Sequence, residues 1–328
     1  MTRGLMLIDG SNWGFAAAST KRLSVGDQDT NAVFGFIRRL RESMNTYPML
    51  APICLSDGIS WRYDAFAEYK GSRGKEPVTK TEIEQARVRT SYKSQVKMIN
   101  QALELLGIRR MFALNLEADD LAAILCRKYS ATKRIILMSG DKDWLQLVSP
   151  TVSWIDLIND RRIGIKTFGT KTLATEKVGL GFVRKDTEEW IGISRPDQWA
   201  DVKALMGDTS DEIGGVGGIG EKGAIELVRE HGSVAGFLMG VNDKSIDVDS
   251  LSKKLRDFAQ SDDKQHIFRR NAMLMDLNSP AIPEPNGLKI VHKPFDEEGF
   301  HRFCSDWMFQ SILTDFEGWC EPFKGGEV

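Results

Sequence analysis

The chain has 328 residues, 41% apolar and 27% charged, with a net charge of −2. That composition suits a globular protein with one large core or two modest ones, and it excludes a disordered or disulfide-rich chain. It also excludes a uniformly basic nucleic-acid binder, although not one whose charges are segregated along the chain.

The chain opens on GLMLIDG (4–10), a short buried-strand pattern that ends in Asp-Gly. No apolar run reaches membrane-spanning length, and Asp9 interrupts the first one too early for a signal peptide, so no membrane partner is expected and the expected location is the cytoplasm. Phe34, Ile37 and Leu40 mark a helix. APICLSDG (51–58) repeats the strand-then-Asp design. Segment 62–97 is different: it carries nine basic and five acidic side chains, and from Gly71 to Ser94 large apolar residues are sparse. It reads as an extended or helical excursion that does not face a core. Val96, Ile99, Leu103 and Leu106 then form a helical apolar stripe. KRIILMSGDKD (133–143) is the third strand ending at an acid, and TVSWIDL with IGIKTF reads as two strands joined by a turn. Strands alternating with helices predict an α/β fold with a mostly parallel sheet flanked by helices. From about Pro196 the pattern turns helical, through WADVKALMGD, KGAIELVREHG and one long stretch from Ser250 to Leu277. The Pro-rich SPAIPEP (279–285) is a connector, FDEEGFHRFCSDWMFQSILTDF closes as one or two helices, and the tail KGGEV is expected to fray. Cys54, Cys126, Cys304 and Cys320 are scattered without metal or redox spacing, and are expected to be reduced thiols.

In an α/β sheet, ligands bind outside the carboxyl ends of the strands. Asp9, Asp57 and Asp141 would gather there, with Glu117, Asp119 and Asp120 from EADD, and Asp143, Asp208 and Asp211 nearby. Any one of them can be read as a helix cap. Together, like charges repel unless a cation neutralises them, and a purely oxygen donor set selects hard ions, Mg²⁺ or Mn²⁺. Two such ions suit phosphodiester hydrolysis. Lys70 and Arg73 would face the phosphate. Gly215, Gly217 and Gly220 match a dinucleotide-binding GxGxxG, but no buried strand precedes them and the flank MGDTSDEIG is acidic. The better reading is a helix-hairpin-helix. Its glycines and Lys222 contact a DNA backbone, and its outward carbonyls can hold a monovalent cation.

LIDGSN, LSDG, YKGSR, EADD, SGDKD and GDTSDEIGGVGGIGEKGA, followed by RRNAMLMDL, resemble the 5′-nuclease or flap endonuclease family, in order over most of the chain. The resemblance implies a PIN-like core (1–195) with a helical arch over about 71–95, a helix-three-turn-helix module (196–275), and a C-terminal helical segment (276–328) packed back on the core. It implies a structure-specific 5′-3′ exonuclease or flap endonuclease of DNA replication, acting on 5′ flaps, nicks and gaps of duplex DNA and on RNA primers in RNA-DNA hybrids. Two Mg²⁺, with Mn²⁺ as a substitute, would sit on Asp9, Asp57, Glu117 and Asp119 (first ion) and on Asp120, Asp141, Asp143, Asp208 and Asp211 (second ion). Lys70 and Arg73 match the basic pair at the scissile phosphate. Gly215, Gly217, Gly218, Gly220 and Lys222 match the hairpin that binds duplex and K⁺, and Lys75, Lys80, Arg87, Arg89 and Lys93 are the arch cations. Tyr92 is the arch aromatic available to stack a frayed base. A monomer is expected, with a single-strand-binding protein or replication clamp as protein partner. With no polymerase after it, the chain reads as a free-standing nuclease in the manner of a bacteriophage enzyme, in the host cytoplasm. The competing readings are a PIN-type single-strand ribonuclease and a non-catalytic nucleic-acid binder.

Overall fold

A computed structural model describes residues 3–71, 76–170 and 180–325. Strand β1 (Gly4–Asp9) runs into helix α1 (Gly10–Ala18), and a small hairpin, β2 (Ser24–Val25) and β3 (Gln28–Asp29), precedes α2 (Asn31–Thr46). Then come β4 (Leu50–Leu55), α3 (Arg62–Ala65), the long α4 (Lys80–Leu105), β5 (Arg109–Phe112), α5 (Ala118–Tyr129) and β6 (Ile135–Met138). A 3-10 turn (Lys142–Leu147) leads to β7 (Val152–Asp156) and β8 (Arg161–Ile163). The hairpin β9 (Gly181–Arg184) and β10 (Glu189–Gly192) opens a helical region: α6 (Asp197–Met206), α7 (Glu221–His231), α8 (Val234–Asn242), α9 (Lys253–Gln260) and α10 (Asp262–Met275). The chain returns through β11 (Lys289–Val291) and ends in α11 (Glu297–Asp306), α12 (Gln310–Leu313) and α13 (Phe316–Lys324).

The central sheet has the order β11-β5-β4-β1-β6-β7-β8. Its five inner strands are parallel, and the edge strands β11 and β8 run antiparallel to their neighbours. Burial on both faces explains why the middle of β1 is continuously apolar: Met6, Leu7 and Ile8 are fully buried. Leu7 packs into a core with α5, the 3-10 turn, and helices α6 to α8. Met6 and Ile8 face the opposite core with α1, α2 and α4. Phe300, Phe303, Trp319 and Phe323 of the C-terminal helices close that second core. The parallel order brings the carboxyl ends of β1, β4, β5 and β6 to one edge.

Segment 62–97 corrects the sequence reading. A capping box between Thr79 and Glu82 starts a 26-residue helix. From Val88 onward it packs on α1 and α2, with Val88, Ser91 and Gln95 buried. The scarcity of apolar residues misled because the contact is polar. The Gln95 side-chain oxygen accepts from Ala32 N at 2.8 Å and Val33 N at 3.2 Å, at the first turn of α2. Tyr92 is half-buried and lies over Gly14, where an added Cβ would come within 2.2 Å of its ring. It is therefore a packing residue and not a free stacking platform. The stretch 250–277 is also two helices rather than one: Ser261 ends α9 and caps α10 through Lys264 N.

Candidate active site

Each acid reaches the shared sheet edge by a local device. Asp9 ends β1 and caps α1, accepting from Asn12 N at 2.9 Å, while its second oxygen accepts from Ser139 Oγ at 2.8 Å. Asp57, two residues past β4, accepts from Ala118 N at 2.9 Å and Ser11 Oγ at 2.6 Å. Glu117 is the N-cap of α5. Asp119 Oδ1 takes the Trp144 indole N–H at 2.6 Å. Asp141 Oδ1 caps the 3-10 turn through Asp143 N at 2.8 Å. Capping and clustering are thus compatible readings of these residues.

Burial and repulsion between neighbouring carboxylates oppose ionisation of the cleft acids. Burial, then Asp57 and Asp141, push Asp9 up to about 7. Burial and Asp141 push Asp143 up to about 7. Asp119 is raised well above the carboxylate range by burial, then by Asp141, Asp9 and Glu117.

Among the described residues three cations face these acids. Lys70 is expected to face the scissile phosphate, and its ammonium lies among the carboxylates. It is 9% exposed with φ 53° and is ion-paired with Glu117, and its Nζ is 3.7 Å from Asp211 Oδ2. Tyr69 OH donates to Glu117 at 2.8 Å and also lies 3.2 Å from Asp211 Oδ2. Lys203 of α6 lies 3.0 Å from Asp143 and 2.7 Å from Asp208. Burial opposes its charge, but those two carboxylates hold the ammonium well above its ordinary pKa. Arg62 is buried and makes a fork to Asp120 at 3.0 and 2.8 Å, with further bonds to Glu117 at 3.2 Å and Leu274 O at 2.6 Å. The sequence reading missed Arg62 and Lys203 as site residues. Their one visible signal was position: Lys203 precedes Asp208 by five residues, and Arg62 stands just after LSDG.

The fork corrects the expectation for Asp120. Its carboxylate is fully buried and engaged by Arg62, and it also accepts from Glu117 N at 3.1 Å. It supports the cleft from behind instead of facing it. Among the described residues no three of the acids approach closely enough to enclose one ion. The donor set nevertheless fits hard divalent ions: Asp9 is buried, Asp119 and Asp143 are partly buried, all three feel the charge of Asp141, and Asp119 and Asp141 each use only Oδ1 in the bonds above.

The hairpin between α6 and α7 is tight. Gly217 and Gly218 have φ of 56° and 77°, the left-handed region that favours glycine, and a Cβ on Gly215 would come within 2.4 Å of Met206 O. Gly220 is the N-cap of α7 and Lys222 stands exposed in its first turn. The Gly218 carbonyl, expected to face a K⁺ ion, accepts from Lys254 Nζ at 2.7 Å. A tethered ammonium already serves that oxygen. Of the arch cations, Lys80, Arg87, Arg89 and Lys93 are exposed on α4, with Arg87 paired to Glu84 at 2.6 Å. Arg73 and Lys75 lie outside the described residues.

A parallel sheet with a buried acidic edge beside a glycine hairpin defines a nuclease-like α/β protein. The model for "5′-3′ exonuclease, N-terminal resolvase-like domain" matches residues 4–178, and that for "5′-3′ exonuclease, C-terminal SAM fold" matches 194–278. The chain belongs to this 5′-3′ exonuclease family. DNA polymerase I of Bacillus caldotenax is 31% identical over 310 residues, which are 92% of this chain and 32% of that protein. DNA polymerase I of Chloroflexus aurantiacus is 36% identical over 243 residues, 71% of this chain and 23% of that protein. The chain therefore spans about a third or less of the length of these relatives. Among solved structures, the bacteriophage T5 5′-exonuclease with bound zinc ions superposes with a TM-score of 0.63 at 20% identity, covering 98% of this chain and 97% of that one. Flap endonuclease-1 from Methanococcus jannaschii gives 0.51 at 19% identity, over 99% and 92% of the two chains. At these identities the structures establish the shared fold. No described helix is long and apolar enough to cross a membrane.

Proposed function

We propose that the chain hydrolyses phosphodiesters at 5′ ends, flaps, nicks and gaps of duplex DNA and of RNA-DNA hybrids, with divalent metal ions held in the acidic cleft. The observation that carries this reading is the group of acids at the sheet edge, of which Asp9 and Asp119 are raised by burial and by neighbouring carboxylates with no cation bonded to them among the described residues. Asp9, Asp57, Asp119 and Asp141 would hold one Mg²⁺, and Asp143, Asp208 and Asp211 a second, with Mn²⁺ as a substitute. Bound there, the ions supply an activated water and neutralise the leaving oxygen. Glu117 keeps Lys70 beside the cleft, where its ammonium meets the scissile phosphate as a point charge. Asp120 and Arg62 position Glu117 and the start of α5. The hairpin amides, with Lys222, hold the uncleaved duplex by its backbone, without reading sequence. Lys254 Nζ engages the Gly218 carbonyl, so a K⁺ ion at the hairpin would have to use its other outward carbonyls or displace that ammonium. T5 exonuclease structures with DNA and metal ions are consistent with this reading.

The test is cleavage of a 5′-labelled flap on a nicked duplex, in Mg²⁺ or EDTA, beside Asp141→Ala and a linear RNA control. Mg²⁺-dependent cutting near the junction that the variant loses is the expected result. Degradation of RNA with the flap intact would replace this reading with the PIN-type ribonuclease.

A further inference from the structure

A second recess opens beside the acidic cleft. It is a cavity of about 280 Å³ between β4, β5, α1 and α4. Its polar lining includes Ser11, Asp57, Tyr92, Asn100 and Arg110, and Phe36 and Phe112 supply apolar wall. Asp57 is the one acid among the described lining residues, and Ser11 Oγ and Ala118 N already engage it. Arg110 is the one cation. Its side chain is 14% exposed, its one carboxylate partner among the described residues is Glu104 at 4.0 Å, and its Nε is buried with no hydrogen-bond partner among them. A buried guanidinium N–H without an acceptor is costly to leave unmade.

We propose that this cavity receives the 5′-terminal nucleotide of the cut strand, with the terminal phosphate on Arg110. The inference rests on the 5′-nuclease reading above. The volume lies near the lower end of small-molecule sites, which suits the end of a strand and not a strand that continues. A guanidinium with a free N–H selects an oxyanion. A terminal phosphate monoester, with a second pKa of about 6, carries more charge at neutral pH than an internal diester. The apolar walls face the sugar or base. Asp57 lies between this cavity and the acidic cleft, so a diester at the cleft would be adjacent to a terminal phosphate in the cavity. The structure thereby gives the protein a means of measuring off the first nucleotide of a phosphorylated end.

The experiment compares recessed duplexes identical except for a 5′-phosphate or a 5′-hydroxyl. Binding is read by fluorescence anisotropy in Ca²⁺, and release of the terminal nucleotide is read in Mg²⁺. A preference of about tenfold for the phosphate is expected in both readouts, collapsing to near one in Arg110→Met and partly kept in Arg110→Lys. Flap cleavage by the unaltered protein is measured in the same preparation. Flap cutting without any phosphate preference would overturn this inference and leave the 5′-nuclease reading standing. A preference undiminished in a folded Arg110→Met would overturn it as well, by putting the phosphate elsewhere. Failure to cut any flap or end would remove the reading on which it rests.

Discussion

Arg62→Met tests whether the buried fork under the cleft holds the fold together. The guanidinium donates two bonds to Asp120, one to Glu117 and one to Leu274 O, which joins α3 to α5 and to the end of α10. Methionine fills much of the same space, so the loss is electrostatic rather than a cavity. It strands the buried Asp120 carboxylate, and breaking one side of a buried pair costs about 3–5 kcal/mol. For a chain of this size that is a fall in melting midpoint of about 4–7 °C. The pH dependence is a second signature. Burial would raise Glu117, but Lys70 and Arg62 hold its pKa below the ordinary 4.5. A lowered carboxyl pKa contributes stability above 4.5 that is lost as pH falls through the folded value. The gap between the two proteins should therefore narrow in acid. The assay is urea and thermal unfolding of both proteins at pH 7.5 and pH 4. Replacing both partners, as Arg62→Met with Asp120→Leu, should recover much of the loss, because an apolar pair leaves no buried charge. A single-variant loss under about 1 kcal/mol, the range of surface ion pairs, would refute the reasoning.

Metal-free protein should lose stability as pH rises. Asp9 and Asp143 move from 3.8 to about 7 on folding, so the folded state keeps protons that the unfolded chain has released; this contribution is full below about 3.8 and gone above about 7. Millimolar Mg²⁺ should flatten that slope in thermal melts, and an unchanged slope would count against the ion site. Lys70→Ala should slow single-turnover cleavage far more than it weakens binding, whereas Lys222→Ala should weaken duplex binding and lower its salt slope by about one; identical behaviour would refute the division of roles. Exchanging K⁺ for Na⁺ should leave duplex affinity unchanged in the unaltered protein but not in Lys254→Ala, where the Gly218 carbonyl is freed.

The legible part of the molecule was the part written locally. Asp9 and Asp141 follow apolar runs that are strands, so strand end and acid could be read together. The positive-φ pair Gly217–Gly218 announced its turn through the glycines themselves. Short or polar elements gave no such signal. β5, Arg-Arg-Met-Phe, has too little alternation to stand out, although it supplies both Arg110 and the route to Glu117. Gln95 looked like a surface residue because nothing in α4 reveals the unfilled amides of α2 that it satisfies.

The counter-charges were hidden for a stronger reason. Lys203 meets Asp143 across 60 positions of chain, and Arg62 meets Leu274 O across 212. A scan for acids finds the cleft, but only the packed fold shows that ammonium and guanidinium groups already balance much of it. This changes how the acids should be weighed. Glu117 and Asp208, next to lysines, have lowered pKa values despite burial; Asp143 stays raised even beside Lys203, and Asp9 and Asp119, with no cation bonded to them among the described residues, are raised too. The raised carboxylates are therefore where added positive charge would gain most, and a divalent ion should be felt first at Asp9 and Asp119. An ion at the second position must instead compete with Lys203, so the two sites should fill at different metal concentrations, the Lys203 site last.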